Sequence, residues 1–458
     1  MNSRPTRNRL SRSVLAATAL VASLVLVGCG STTSSTTSAS ASASAGAQAG
    51  GPGGTPPSGA PGGSGGGPGA STPQYTATGT YTLKSGTVSK SGASYTSSTK
   101  NRSAVLVTKS GKLTLTDAKA TTSGTTSSSD ESSFYGLNAG VLAENGGDIT
   151  LDGGTVSTTG KGANGVFAYG SGSSVTLTDT KIKATGRYAH GVMASGGGTL
   201  TLKNVTADTT GANSATIATD RGGGTVDVTG GTFTTSGQDA PGVYSTGRIT
   251  VTRATVTATG AEGAVVEGAN SVVFKDSTVT GGKNGVMLHQ SGSGDALVGT
   301  AVFTMDGGSL TAKGGDLFYV TNTTATITLK GGVKVKESNG KLLDVTTKSK
   351  ATLTAYGEKL TGNVLTDSTS SAAVVLKQGS TLKGAVDKAA MTLDSSSTWA
   401  VTADSTLTGL TGAEISGTKI TNITGNGHTV YYDKSLAANK ALGDKTYTLA
   451  GGGKLVAR

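Results

Sequence analysis

Apolar and polar residues alternate over short stretches along most of this chain. The copies are LTLTDAKA (113–120), ITLDGGTV, VTLTDTKI, LTLKNVTA, VDVTGGTF, ITVTRATV and VVFKDSTV, and the first, third and eighth positions are apolar in each. Period-two alternation broken by Gly, Asn and Asp predicts strands and turns, not helices. Between these copies lies a second kind of segment: AGVLAENGG, NGVFAYGSG, HGVMASGGG, SATIATDRG, PGVYSTGR, EGAVVEGAN and NGVMLHQSG. Its reference position falls at residues 140, 165, 191, 215, 242, 263 and 285, so the repeat is 21–27 residues long.

That length fits three short strands and three turns, one circuit of a solenoid whose circuits stack at about 4.8 Å. The predicted fold is all-β: a single-stranded, right-handed parallel β-helix with three strands per circuit. A leucine-rich horseshoe would need a Leu and Asn signature that is missing. Within the solenoid, like residues stack. Val141, Val166, Val192, Val243 and Val286, with Ala143, Ala168, Ala194, Ala218 and Ser245, are expected to form a first inward ladder. The alternating segments supply two more, such as Ile149, Val175 and Leu200 in one and Val156, Ile182, Ala207, Phe233, Val256 and Val279 in the other.

If Val and Ala point inward, alternation sends Leu142, Phe167, Met193, Ile217, Tyr244, Val265 and Met287 outward. They would form an exposed apolar stripe about 30 Å long, a candidate binding surface. The opposite strand orientation would bury them. Asp117, Asp179 and Asp276 share a column with Gly153, Asn204 and Gly230 and read as turn formers, not catalysts. His190 shares its column with Ala139, Asn164, Ser214, Pro241, Glu262 and Asn284, and reads as a solvated turn residue, as does His428 in GNGH.

Composition agrees: 73 Gly, 14% charged and 4% aromatic residues suit a thin core of strands and many turns. Of the net charge of +11, four units come from Arg4, Arg7, Arg9 and Arg12, so no nucleic-acid partner is expected. Cys29 is the only cysteine, which excludes an intrachain disulfide framework or a thiol metal site.

The four arginines precede an apolar run, Ser13–Val25, shorter than the ~20 residues that span a bilayer. Leu26-Val27-Gly28-Cys29 then resembles the lipobox of bacterial lipoproteins. The resemblance implies that residues 1–28 are a cleaved signal peptide and that Cys29 carries a diacylglyceryl group, a stable extracytoplasmic membrane anchor. Residues 29–74 are Ser, Thr, Ala, Gly and Pro-rich, as in SGAPGGSGGGPGA, and are expected to be a disordered tether reaching roughly 35–40 Å. The β-helix is then 75–458, with 390–458 as its cap, where Trp399, Tyr431, Tyr432 and Tyr447 are expected to close the open end.

Chemistry is sparse. Glycoside hydrolysis needs two carboxylates about 5–10 Å apart, and a lyase needs acids for Ca²⁺ with a basic residue to take a proton. Asp220-Arg221, Glu267 and His289 are the nearest approach, and would share one side of the solenoid. No metal site and no cofactor beyond the lipid is predicted. Two insertions, SGTTSSSDESSFYG (123–136) and SGSGDALVGTA (291–301), break the period and are candidate binding loops.

The GV-x-A and T-L-T ladders and the C-terminal block resemble the β-helical adhesin-like surface proteins of bacteria, including autotransporter passengers. The resemblance implies exposure on the cell and attachment to a cell-wall or host glycan, or to a surface protein. It departs from autotransporters in carrying no C-terminal barrel, so lipid is expected to hold the protein. The expected function is a non-enzymatic adhesin or binding scaffold. The alternatives are a polysaccharide lyase or hydrolase, which needs Asp220, Arg221, Glu267 and His289 in a cleft, and a coat protein that self-associates through the apolar stripe.

Overall fold

The computed structural model describes residues 72–458. The expected signal peptide, the expected lipidation site Cys29 and nearly all of the expected tether lie outside the described residues. From Thr78 onward the chain is a parallel β-solenoid of about 15 turns. Three sheets run its length. The first contains Arg102–Thr108, Val141–Glu144, Val166–Tyr169 and Val192–Ser195, the second Lys112–Thr116, Asp148–Asp152 and Ser174–Thr178, and the third Lys119–Thr122, Thr155–Thr158 and Lys181–Ala184.

Outside the C-terminal end, strands pair in parallel with their counterparts one circuit away, and like residues stack: Val175 on Ile149 and Leu200, Ile182 on Val156 and Ala207. All of these are buried in one continuous core. Burial of each Val, Leu or Ile contributes about 1.5–3 kcal/mol, which is what several per circuit must set against chain entropy. The corner between the second and third sheets is left-handed. Asp117, Asp179, Asn204, Arg253 and Asp276 have φ of 47–53°, so the column of acids and amides there is explained by the turn.

A second corner is built on glycine for a different reason. Gly160, Gly186, Gly211 and Gly237 stack at the exit of the third sheet, and a Cβ on any of them would collide with the carbonyl of the glycine one circuit before.

At the C-terminal end, Ile415–Ser416 and Tyr447–Thr448 form antiparallel pairs with 419–420 and 454–455. Trp399 and Tyr432 are buried, the indole Nε1–H donating to Gly384 O and the Tyr432 hydroxyl to Lys445 O. Tyr447 is buried too, whereas Tyr431 is half-buried beneath the Arg458 guanidinium, which lies 3.6 Å from its ring centre.

Two expectations are corrected here, one by register and one by burial. Val192 pairs with Ile217, and Met193 with Ala218. Ile217 therefore points into the core, and Ala218 takes the outward rung between Met193 and Tyr244. SATIATDRG lacks the Gly-Val pair of the other copies, and the reference rung is Thr216, whose carbonyl accepts from Val192 N. A slip of one residue exchanges the two faces of a strand. His190, in turn, is not solvated: it is 6% exposed. Its amide donates to Asn164 Oδ1 and its Nδ1 accepts from Ala215 N at 3.0 Å, so the column is a buried polar ladder that satisfies the backbone of successive circuits.

Candidate functional site

The outer face of the first sheet carries two columns. One is the apolar stripe, now Leu106, Leu142, Phe167, Met193, Ala218, Tyr244, Val265 and Met287. It does face away from the main core, but it is not exposed: it forms a second buried cluster, 0–6% accessible. The two insertions fold back over this face. The first contains a helix, Ser129–Tyr135, capped by the Ser128 hydroxyl, which accepts from Glu131 N, and ended by Gly136 at φ 75°. Gly136 sits so close that a Cβ there would come within 2.7 Å of Leu142 and Phe167. The second insertion runs beside Gly268 and Ala269, the Ala269 amide donating to Leu297 O at 2.8 Å.

The other column is polar and includes Glu144, Tyr169, Ser195, Asp220, Glu267 and His289. The sequence-predicted quartet is thus gathered on one side of the solenoid. Tyr244 donates a short hydrogen bond to Glu267 Oε2, and the Ser291 hydroxyl and amide donate to Glu267 Oε1. His289 Nε2 lies 3.7 Å from Glu267 Oε2. Arg221 turns away from Glu267: its Nη2 pairs with Asp295 Oδ1 at 2.7 Å and its guanidinium lies 3.9 Å from the Phe134 ring centre. The Ser195 hydroxyl donates to Phe134 O. Asp295, Ser291, Phe134 and Tyr244 complete the network, the first three from the two insertions that the sequence marks as candidate loops and Tyr244 from the apolar stripe.

Burial dominates the electrostatics. It pushes the Asp220 carboxyl well above the usual range, with Asp295 and Glu267 adding to the rise and the Arg221 amide opposing it. It pushes the Tyr244 phenol up likewise, with Glu267 and Asp220 contributing. Burial lowers the His289 imidazole despite Glu267. The raised Asp220 carboxyl, the phenol and the imidazole are groups of the kind that exchange protons with a substrate. Here they have no access to one: the Glu267 side chain is 1% exposed and that of His289 10%. The network fastens the second insertion to the sheet. Among the described residues, no group of three or more His, Cys, Asp or Glu is placed to hold a metal ion.

Open chemistry lies on the other sheets. Where the second sheet turns into the third, Lys330, Tyr356 and Lys377 stack in register. Lys334 and Lys336 follow in the first of these circuits, Lys359 in the next and Lys383 in the third. Lys330 pairs with Asp306 at 3.1 Å, while Lys334, Lys336, Lys359, Lys377 and Lys383 are exposed and make no ion pair among the described residues. Lys377 Nζ lies 5.6 Å from the Tyr356 ring centre.

Residues 94–303 match the family model described as a right handed beta helix region. A right-handed β-helix domain is therefore present, a fold that occurs in adhesins, lyases and hydrolases. No curated protein matches the chain.

Proposed function

We propose that this protein is a non-catalytic binding scaffold, held outside a bacterial membrane by lipid on Cys29, whose β-helix engages an acidic polysaccharide of a cell wall or host. The observation that carries the reading is the lysine corner. Five unpaired ammonium groups and one tyrosine ring are held over three adjacent circuits, at spacings fixed by backbone pairing. A repeating carboxylated or sulfated chain is complementary to such a row. The closure of the Asp220–Glu267 network supports a role without bond cleavage, and the covering of the apolar stripe leaves a self-associating coat without its contact surface.

Binding to immobilised acidic polysaccharides, measured against neutral ones across a salt series, tests this. The reading requires affinity for the acidic set that falls with ionic strength, and at least about tenfold weaker binding by Lys334→Glu/Lys359→Glu. Equal binding to neutral chains sinks it. The gathering of Asp220, Glu267 and His289 favours a lyase or hydrolase as the second reading. Release of unsaturated or reducing ends from the same polymers, abolished by Glu267→Gln, would establish that reading instead.

A further inference from the structure

Near the start of the domain lies a cavity of about 270 Å³ that shares no residue with the Asp220–Glu267 network or the lysine corner. Its walls include Tyr75, Tyr135, Tyr169, Glu131, Glu144 and Asn145, and among the described residues no Lys, Arg or His lines it. The Tyr135 and Tyr169 rings are 5.1 Å apart and nearly perpendicular, two walls of a box. Glu144 is the neighbour of Tyr169 in the outward column. Glu131 fixes the third wall: both of its carboxylate oxygens accept from the Gln74 amide at 3.1 Å, which brings Tyr75 to the rim, 44% exposed.

Two carboxylates among three aromatic rings, with no cationic side chain among the described residues to balance them, make a site of one charge preference. Ring faces carry negative quadrupole density and attract cations, most strongly when the cation sheds water cheaply. A bare metal ion or a primary ammonium is strongly hydrated. An alkylated ammonium is not, and its methyl groups pack against rings while its charge is met by the acids. Burial raises the Glu144 carboxyl, opposed by its hydrogen bond with Thr108, and a cation placed beside it would lower it again.

We propose that this cavity binds an alkylated ammonium group of the trimethylammonium type. The group is either carried by a small soluble molecule or displayed as a lipid headgroup.

Titration calorimetry of the full chain with choline, with its uncharged tert-butyl analogue and with phosphatidylcholine vesicles tests the proposal. Choline is expected to bind and the uncharged analogue to bind at least about tenfold more weakly. Binding to vesicles as well assigns the headgroup source, and choline alone the soluble one. Tyr75→Ala, at the exposed rim where folding is not at stake, and Glu144→Gln should each weaken choline about tenfold, whereas Tyr169→Phe, which keeps the ring, should not. No binding of choline or vesicles, or equal binding of the uncharged analogue, overturns the site.

Discussion

Arg221 and Asp295 are 74 residues apart in sequence and 2.7 Å apart in space, and their ion pair ties the second insertion to the end of the first-sheet strand Ile217–Thr219. Phe134 lies under the guanidinium on one side and Asp295 accepts on the other. The side chains are 27% and 13% exposed, so the pair is only partly screened. Arg221→Ala is expected to cost about 1–3 kcal/mol through the lost ring contact and the unpaired Asp295. Hydrogen exchange should show the loss at 129–136 and 291–299, with the second and third sheets unchanged.

Asp220 gives a prediction of opposite direction. Its folded pKa is raised, so folding is favoured by this group at acid pH and disfavoured as pH climbs through the folded value. Asp220→Asn keeps an acceptor for the Arg221 amide and removes the buried ionisable group. It should stabilise the protein by on the order of 1 kcal/mol at neutral pH, with the gain vanishing toward pH 4. Melting temperatures of the two proteins at both pH values check this.

His190 acts in the other sense. Burial lowers its pKa to about 4 from 6.5, so it stays neutral in the folded state while the unfolded chain takes a proton. Stability is fully present above the unfolded value, declines as pH falls from about 6.5 to about 4, and levels off below, a change of about 3 kcal/mol. His289 shifts the same way. His190→Asn, matching Asn164 in the column, retains an acceptor for Ala215 N and should flatten the slope of urea-unfolding free energy between pH 4 and 6.5.

The glycine corner predicts a steep size limit. Gly186→Ala places a methyl group against the Gly160 carbonyl, and should destabilise by about 1–3 kcal/mol in chemical denaturation. Gly292, which has nothing near its would-be Cβ, is the control: Gly292→Ala should change little.

These residues also show what can be read from sequence in a solenoid. Val175, Ile182 and Phe233 were legible because every copy repeats the same alternation, and stacking makes repetition equivalent to burial. The first sheet failed at one rung, where SATIATDRG offers no Gly-Val landmark and Ile217 exchanges faces with Ala218. Exposure of the stripe was not legible at all, since alternation gives only the face of a strand, and the cover comes from insertions that occur once. One local signal was there. Ser128 followed three residues later by Glu131, then Phe134, Tyr135 and Gly136, is a helix-capping pattern. The Glu131 carboxylate, however, reaches Gln74 instead of its own cap. Asp295 as the partner of Arg221 depends on how two unrelated loops meet, which no period encodes.

An unadorned solenoid is a one-dimensional lattice in which each circuit feels only its neighbours, so it can fray from either end or melt from the middle. The ties from Glu131 to Gln74, from Ser195 to Phe134 and from Arg221 to Asp295 skip circuits. They impose long-range cooperativity on the N-terminal two thirds of the stack, while the lysine-bearing circuits beyond residue 313 retain only nearest-neighbour coupling and their end hairpins. Denaturation is therefore expected in two stages, the lysine-bearing end yielding first and the braced block unfolding later as a unit.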